Sequence, residues 1–390
     1  MASLRAYVLT LNLLVNPNSS STFQDTGPGR FVTSFGDGTT STGDYFVDNF
    51  EISGMTLNNF TMGLGVNTTS AFGLVGIGYP ISEAIVSTTQ SITAEYQNLP
   101  VYLFRKNMIN TIGFSLWLND LQASTGSLLF GGIDTEKYHG DLIRVKVQKD
   151  PRSGILSQFT VALTSVQVIS STGTDSLTSP EFPISVGLDS GTTLTFLPTD
   201  LAAEIWKEAG ASYNADLRQP VIPCSRSTST GSFAFGFGGV GGPVINVNMS
   251  ELVLDSTSGD PTLCRFGIQN ATASPTALYL FGDTFLRSAY VVHDLVNNEI
   301  GLAQTNFNAT SSNVVPFASF RATIPSSTPA PNQGQISNNA SSTAPPSFSA
   351  EPGFGPSNAG SIPSVLDYPQ LAIIAISVFL AIVSSRFFMF

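Results

Sequence analysis

The apolar run from Ile184 to Leu188 leads directly into Asp189-Ser190-Gly191-Thr192-Thr193 and leaves through Leu194-Thr195-Phe196-Leu197. This order sets a carboxylate at a tight turn with apolar sequence on both sides. A buried acid is costly to ionise unless donors converge on it. Ser190, Thr192 and Thr193 bring hydroxyls to that turn, and Gly191 lets the backbone approach closely. An Asp held in this way suits acid–base chemistry.

The other candidate residues carry less. His139 and His293, the only two histidines, lie in ordinary strand or turn sequence, and the two cysteines lack metal-ligand spacing. Neither a Ser-His arrangement nor a zinc site is supported, and no metal or cofactor is expected. A second Asp-x-Gly triplet, Asp25-Thr26-Gly27, follows the polar stretch Asn18 to Gln24 and runs into Pro28-Gly29-Arg30. A loop flanked in this way cannot bury and orient a carboxylate, so Asp25 reads as a turn residue.

The Asp189 turn needs a strand-rich scaffold to hold it. The chain has 390 residues, room for two domains, and is 42% hydrophobic with 35 Gly and 23 Pro. Short segments of Val, Ile, Phe and Thr alternate with clusters of Gly, Asn, Asp and Ser, the pattern of a mainly β protein. One helix is written clearly after the Asp189 strand. Thr199 is its expected cap, Asp200 opposes the N-terminal dipole, Leu201, Ile205 and Trp206 form an apolar face, and Gly210 ends it. Lys and Arg gather between Gly140 and Gly154, which marks a lobe junction.

Only 11% of residues are charged and the net charge is -11, so nucleic acid is not an expected partner. The balance suits an extracellular, mildly acidic setting. Asn-x-Ser/Thr sequons at Asn18, Asn59, Asn67, Asn248, Asn270, Asn308 and Asn339 argue for glycosylation along the secretory route. In that compartment Cys224 and Cys264 would form one disulfide, two free buried thiols being the alternative.

At the N-terminus, Arg5 followed by Ala6 to Val15 reads either as a weak signal-like segment or as a misassigned start. From about Asn308 the composition turns to Ser, Thr, Pro, Asn and Ala, as in an extended, disordered stalk. The apolar stretch Leu371 to Val383, preceded by Ser357, Asn358, Ala359 and Gly360, has the order of a glycosylphosphatidylinositol (GPI) attachment signal with Asn358 as attachment residue. A plain transmembrane tail is the alternative.

Taken in order, these segments resemble a known family. The Asp189 turn, together with Leu280-Phe281-Gly282-Asp283-Thr284-Phe285-Leu286-Arg287 and Val291 to Ala303, resembles the C-terminal lobe of pepsin-like aspartic proteases. Phe23 to Gly43, with Phe35-Gly36-Asp37-Gly38 at its centre, resembles the family's flap hairpin. Gly73 to Gly78 and Phe114 to Asp134 resemble later landmarks of the N-terminal lobe. The resemblance covers roughly residues 16–306, and the stalk and tail are similar to those of the fungal, GPI-anchored, yapsin-like branch.

The resemblance implies a mainly β, bilobal fold. Residues 16–140 would form a partial N-terminal lobe and residues 141–306 a C-terminal lobe, followed by a stalk over 307–360 and the attachment signal or membrane anchor over 361–390, with 1–15 as the uncertain start. It also implies a monomeric aspartic endopeptidase at the cell surface. Such an enzyme hydrolyses polypeptide substrates at acid pH through water activated between two facing carboxylates. By position, Asp189 is the C-lobe carboxylate, Gly191 and Thr192 support it, and Ser190, where Thr is more usual, reaches toward the opposite lobe. Gly282 lies where a second loop crosses behind the turn. The flap would hold Phe35, Gly36 and Asp37, with Phe35 where Tyr is more usual, and Phe35 either contacts the site or packs in the hairpin. The family's first Asp-Thr-Gly has no counterpart in a proper context, so the N-lobe reads as incomplete and the chain as N-terminally truncated. A catalytically inactive, protease-like surface glycoprotein is the alternative.

Overall fold

The computed structural model describes residues 8–11, 16–27, 31–35, 38–70, 73–150, 153–171, 173–177, 182–257, 259–271 and 279–333. Gly36, Asp37, Asn339, Asn358 and the hydrophobic tail lie outside them.

Alternation governs the first half. In the strand Thr40–Ile52, Phe46, Asp48, Phe50 and Ile52 are all buried, one residue in two. A tight turn through Ser53 and Gly54, both at positive φ, folds this strand back on Met55–Thr68. Phe31–Ser34 and Gln24–Asp25 pair with the same long strand. Asp48 accepts hydrogen bonds from the hydroxyls of Ser20 and Thr22, which tie residues 16–25 down. Burial alone would raise its proton affinity, but these bonds outweigh it and the carboxyl is lowered. Val8–Leu11, within the stretch read as signal-like, is a strand paired antiparallel with Gly73–Gly76. Its apolar run therefore also suits sheet pairing.

The two halves share a six-stranded sheet. Its order is Ser327–Pro329, Tyr138–Lys146, Glu299–Thr305, Ala289–Asp294, Gly113–Trp117 and Ser127–Phe130. The junction expected near Gly140 to Gly154, and the boundary drawn at 140, thus fall partly within a strand rather than in a linker. One of the basic residues gathered there is tied into the sheet. Arg144 meets Glu299 at 3.2 Å and donates to the Ser327 carbonyl at 3.0 Å.

The second half is built on a larger sheet in which Ile184–Leu188 lies between Thr160–Ser170, antiparallel, and Tyr279–Phe281, parallel. Phe233, Phe235, Phe237, Phe281 and Phe285 are buried together beside it, with most ring pairs edge-on. The helix Thr199–Ala209 follows as expected, with Leu201, Ile205 and Trp206 buried and Gly210 left-handed at its end. Its cap is Pro198, not Thr199. Thr199 is already helical, and its hydroxyl donates to the Ala271 carbonyl at 3.3 Å instead. Cys224 and Cys264 form a disulfide across a separation of 40 residues.

The folded body continues past residue 306. Phe317, Ile324 and Ala330 are buried, Val314–Pro316 pairs with Gly132–Asp134, and Ser327–Pro329 pairs in parallel with residues 142–144. Lys137 donates to the Ala309 and Ser311 carbonyls at 2.8 Å. Residues 307–333 are therefore not stalk. Averaged composition hid a few apolar anchors spaced along a polar segment. Among the described residues no helix is long and apolar enough to cross a membrane.

Candidate active site

Asp189 stands at the end of a strand hydrogen-bonded on both sides, which fixes where its carboxyl can go. The group is 6% exposed. One oxygen accepts from the Gly191 N–H at 2.9 Å and the other from the Thr192 hydroxyl at 2.7 Å. The Asp189 N–H donates to the Phe281 carbonyl at 3.0 Å, which locks the turn to the neighbouring strand. Ser190 is buried beside it. Of the hydroxyls expected from Ser190, Thr192 and Thr193, that of Thr192 donates to one oxygen, and the Gly191 N–H serves the other. This arrangement holds the carboxyl in one orientation at the end of its strand.

Gly282 completes the turn from behind. A Cβ there would lie 2.2 Å from the Thr192 carbonyl oxygen and 2.5 Å from that of Leu194, so only glycine lets the two chains cross. The N–H groups of Asp283 and Thr284 donate to the Thr192 and Thr193 carbonyls at 2.9 and 3.1 Å. Thr195 and Thr284 join hydroxyls at 2.9 Å, and Thr284 donates on to the Gly267 carbonyl.

Beneath this crossing lies a buried polar group that the motif reading did not single out. Arg287, 2% exposed, donates to the Glu251 carboxylate at 2.6 Å and to the Glu251 carbonyl at 2.7 Å. Asp283 is buried nearby. Loss of hydration pushes its carboxyl up to about 8, Arg287 pulls it down, and the Asp189 charge pushes it further up. It is therefore neutral in acid. The signal was present in Gly282-Asp283-Thr284-Phe285-Leu286-Arg287, since two charged residues inside an apolar motif need buried partners.

Asp25 is elsewhere in kind. It is exposed, sits on the two-residue strand Gln24–Asp25, and accepts from its own neighbour Gly27 N–H at 2.9 Å. The Thr26 hydroxyl donates to the Tyr45 carbonyl at 2.6 Å. Phe35, half-buried, closes the hairpin between Phe31–Ser34 and Thr40–Ile52, its N–H donating to the Thr39 carbonyl at 2.9 Å. His293 is stacked on Phe114 at 4.4 Å and packs edge-on to Phe159 at 4.5 Å; burial pushes its imidazole down to about 3. His139 is exposed. Of the sequons, Asn18, Asn59, Asn67, Asn248 and Asn308 are exposed and Asn270 is half-buried, and the Asn308 amide nitrogen donates to Asp120.

A strand-borne carboxylate in a hydroxyl-lined turn, backed by a glycine crossing in a mainly β body of two halves joined by one sheet, defines an aspartic-protease-like scaffold. The family described as eukaryotic aspartyl protease matches residues 10–305, and the chain belongs to that family. It is 39% identical over 324 residues to a probable aspartic-type endopeptidase, opsB, of Aspergillus oryzae, a match that covers 81% of this chain and 64% of that protein. It is 33% identical over 332 residues to aspartic proteinase yapsin-3 of Saccharomyces cerevisiae, covering 83% and 63%. The crystal structure of an aspartic proteinase from Irpex lacteus superposes with a TM-score of 0.60 at 19% identity, covering 80% of this chain and 97% of that one, which establishes the pepsin-like fold. The chain spans just under two thirds of the length of these curated relatives.

Proposed function

We propose that the chain carries the C-terminal-lobe half of an acid endopeptidase site, in which Asp189 shares a proton with a second carboxylate across the cleft. The observation that supports this is the buried Asp189 carboxyl, with Gly191 N–H on one oxygen and Thr192 hydroxyl on the other. In this chemistry one carboxylate takes a proton from a bound water as the water oxygen bonds to the peptide carbonyl carbon. The protonated partner stabilises the oxyanion and then donates to the leaving nitrogen. Ser190 braces the pair toward the opposite lobe, and the Phe35 hairpin covers the substrate. The substrates are polypeptides of the extracellular or secretory space. The chain acts as a monomer, glycosylated at exposed sequons and held at a fungal cell surface by a GPI anchor at Asn358. The disulfide, the exposed sequons and the acidic, charge-poor composition support that setting.

A second reading, a silent protease-like surface glycoprotein, is favoured by one observation. The other Asp-x-Gly triplet holds an exposed, self-bonded Asp25, which does not supply the partner carboxylate. The test is peptide cleavage at about pH 3 to 5. The 390-residue chain is expected to be inert, while a protein extended by an in-frame apolar-apolar-Asp-Thr-Gly segment encoded before Met1 cleaves, loses activity on Asp189→Asn and keeps it on Asp25→Asn. Only stop codons upstream, with transcription starting at Met1, would leave the silent reading standing. Cleavage by the 390-residue chain that is lost on Asp25→Asn would overturn both.

A further inference from the structure

Away from the catalytic turn, the first half of the molecule holds a polar groove of about 370 Å³, within the range of clefts that take small molecules. Asn59 and Thr61 line it from the strand Met55–Thr68, and Glu95, Tyr96, Gln97 and Lys106 line it from the segment that follows. Tyr102 is fixed by its hydroxyl, which donates to the Asn58 carbonyl at 2.9 Å, and the Lys106 ammonium lies 5.4 Å from the Tyr102 ring centre.

The wall that carries Asn59 is bent on purpose. Phe60 pairs with Asp48 and Leu57 with Phe50, so Asn58 and Asn59 together oppose Asn49 in a bulge. Asn59 takes φ 56, a left-handed conformation that asparagine tolerates, and its N–H donates to the Asn49 side-chain oxygen at 3.3 Å. Asn59 and Thr61 stand two apart on this strand, and both the asparagine and the threonine of the sequon line the groove. At Asn308, by contrast, the amide nitrogen that a sugar would take donates to Asp120.

We propose that Asn59 carries an N-linked glycan and that its first N-acetylglucosamine units are seated in this groove rather than free in solvent. The inference rests on the secretory reading above. In the linking step the Asn59 Nδ2 bonds to the sugar C1, the C1 bond to the diphosphate of a lipid-linked donor breaks, and the amide proton leaves with that diphosphate. The groove matches the ligand. N-acetyl sugars have an apolar ring face, for the partly exposed Tyr96, and hydroxyl and amide groups, for Gln97 and Lys106, while Tyr102 is buried beneath Lys106 and forms the floor. An open groove of this kind binds a free sugar weakly, but a ligand tethered at its rim is present at an effective concentration in roughly the millimolar range. Tethering is what makes the site.

The test uses the full chain secreted from a fungal host. Peptide mass spectrometry reads occupancy at Asn18, Asn59, Asn67, Asn248, Asn270, Asn308 and Asn339, and hydrogen exchange reads residues 95–106 in three forms. These are the intact glycoprotein, the form trimmed by an endoglycosidase to a single N-acetylglucosamine, and the form stripped by peptide N-glycosidase. Expected is an occupied Asn59, with exchange over 95–106 at least threefold slower in the first two forms than in the stripped one. Gln97→Ala with Lys106→Ala, both at exposed positions, is expected to retain the glycan and lose the protection. Asn59 unoccupied while Asn18, Asn67 or Asn248 is occupied would overturn the proposal, as would exchange that is the same in all three forms. No sugar at any sequon overturns the secretory reading, and this inference with it.

Discussion

Asp25-Thr26-Gly27 and Asp189-Ser190-Gly191 spell nearly the same triplet and make the same local hydrogen bond, glycine N–H to aspartate oxygen at 2.9 Å in both. Everything else differs. The first sits at the end of a two-residue strand and is exposed; the second ends a strand paired on both sides and is 6% exposed. Among the described residues Asp25 has no counterpart of the Thr192 hydroxyl or of the crossing at Gly282. Three letters therefore encode an aspartate turn, while a catalytic carboxylate takes a buried strand, a second hydroxyl and a chain passing behind.

The contrast breaks most sharply at the glycines. Gly282→Ala drives a Cβ into two carbonyl oxygens and is expected to cost more than about 4 kcal/mol, or to abolish folding. Gly27→Ala, at φ 118 but with nothing within 4 Å, is expected to cost about 1–3 kcal/mol of local strain. Urea unfolding of the two variants separates them, and equal losses would dissolve the distinction.

The second largest effect is on pH. The Asp283 proton is held to about 8 in the folded chain against 3.8 for the free group, chiefly through burial. Above 3.8 the unfolded chain gives up this proton while the folded chain keeps it. Stability is thus greatest in acid and declines as pH rises toward about 8. Glu83, raised by burial to about 8, acts with the same sign in the first half. Thermal unfolding at several pH values is expected to show this decline, shallower in Asp283→Asn and in Glu83→Gln. A melting temperature that rises from acid to neutral pH would refute it.

Smaller effects sharpen the comparison. Thr192→Ala removes a hydrogen bond to a carboxylate and is expected to cost about 1.5–3 kcal/mol, against about 0.5–1.5 kcal/mol for Thr26→Ala, whose hydroxyl serves a carbonyl. Asp25→Asn is expected to stay within about 0.5 kcal/mol of the parent. Denaturant midpoints measure all three. A Thr26→Ala loss as large as that of Thr192→Ala would show that the two turns are held alike.

What the sequence made legible was local. The apolar run before Asp189, the hydroxyls after it, the glycine at 282 and the helix stop at Gly210 each express a rule that acts over a few residues. What stayed hidden depended on distant chain. Val8–Leu11 is a strand only because Gly73–Gly76 lies beside it. Phe317 and Ile324 are buried among polar neighbours whose average masks them. The Arg287–Glu251 pair joins positions whose charges look, in sequence, like surface. Even Thr199 lost its cap role to Pro198 because Ala271 offered its hydroxyl a partner.

The shared sheet also sets a timetable for the nascent chain. Residues 142–144 pair with 327–329, so one edge of that sheet waits for a strand that leaves the ribosome last among the described elements. At about 5–20 residues per second the delay is on the order of ten to forty seconds. Through that interval Tyr138–Lys146 lacks its outer neighbour and Gly113–Trp117 waits for Ala289–Asp294. The first half is made long before it can close, and during synthesis it depends on whatever shields an open strand edge.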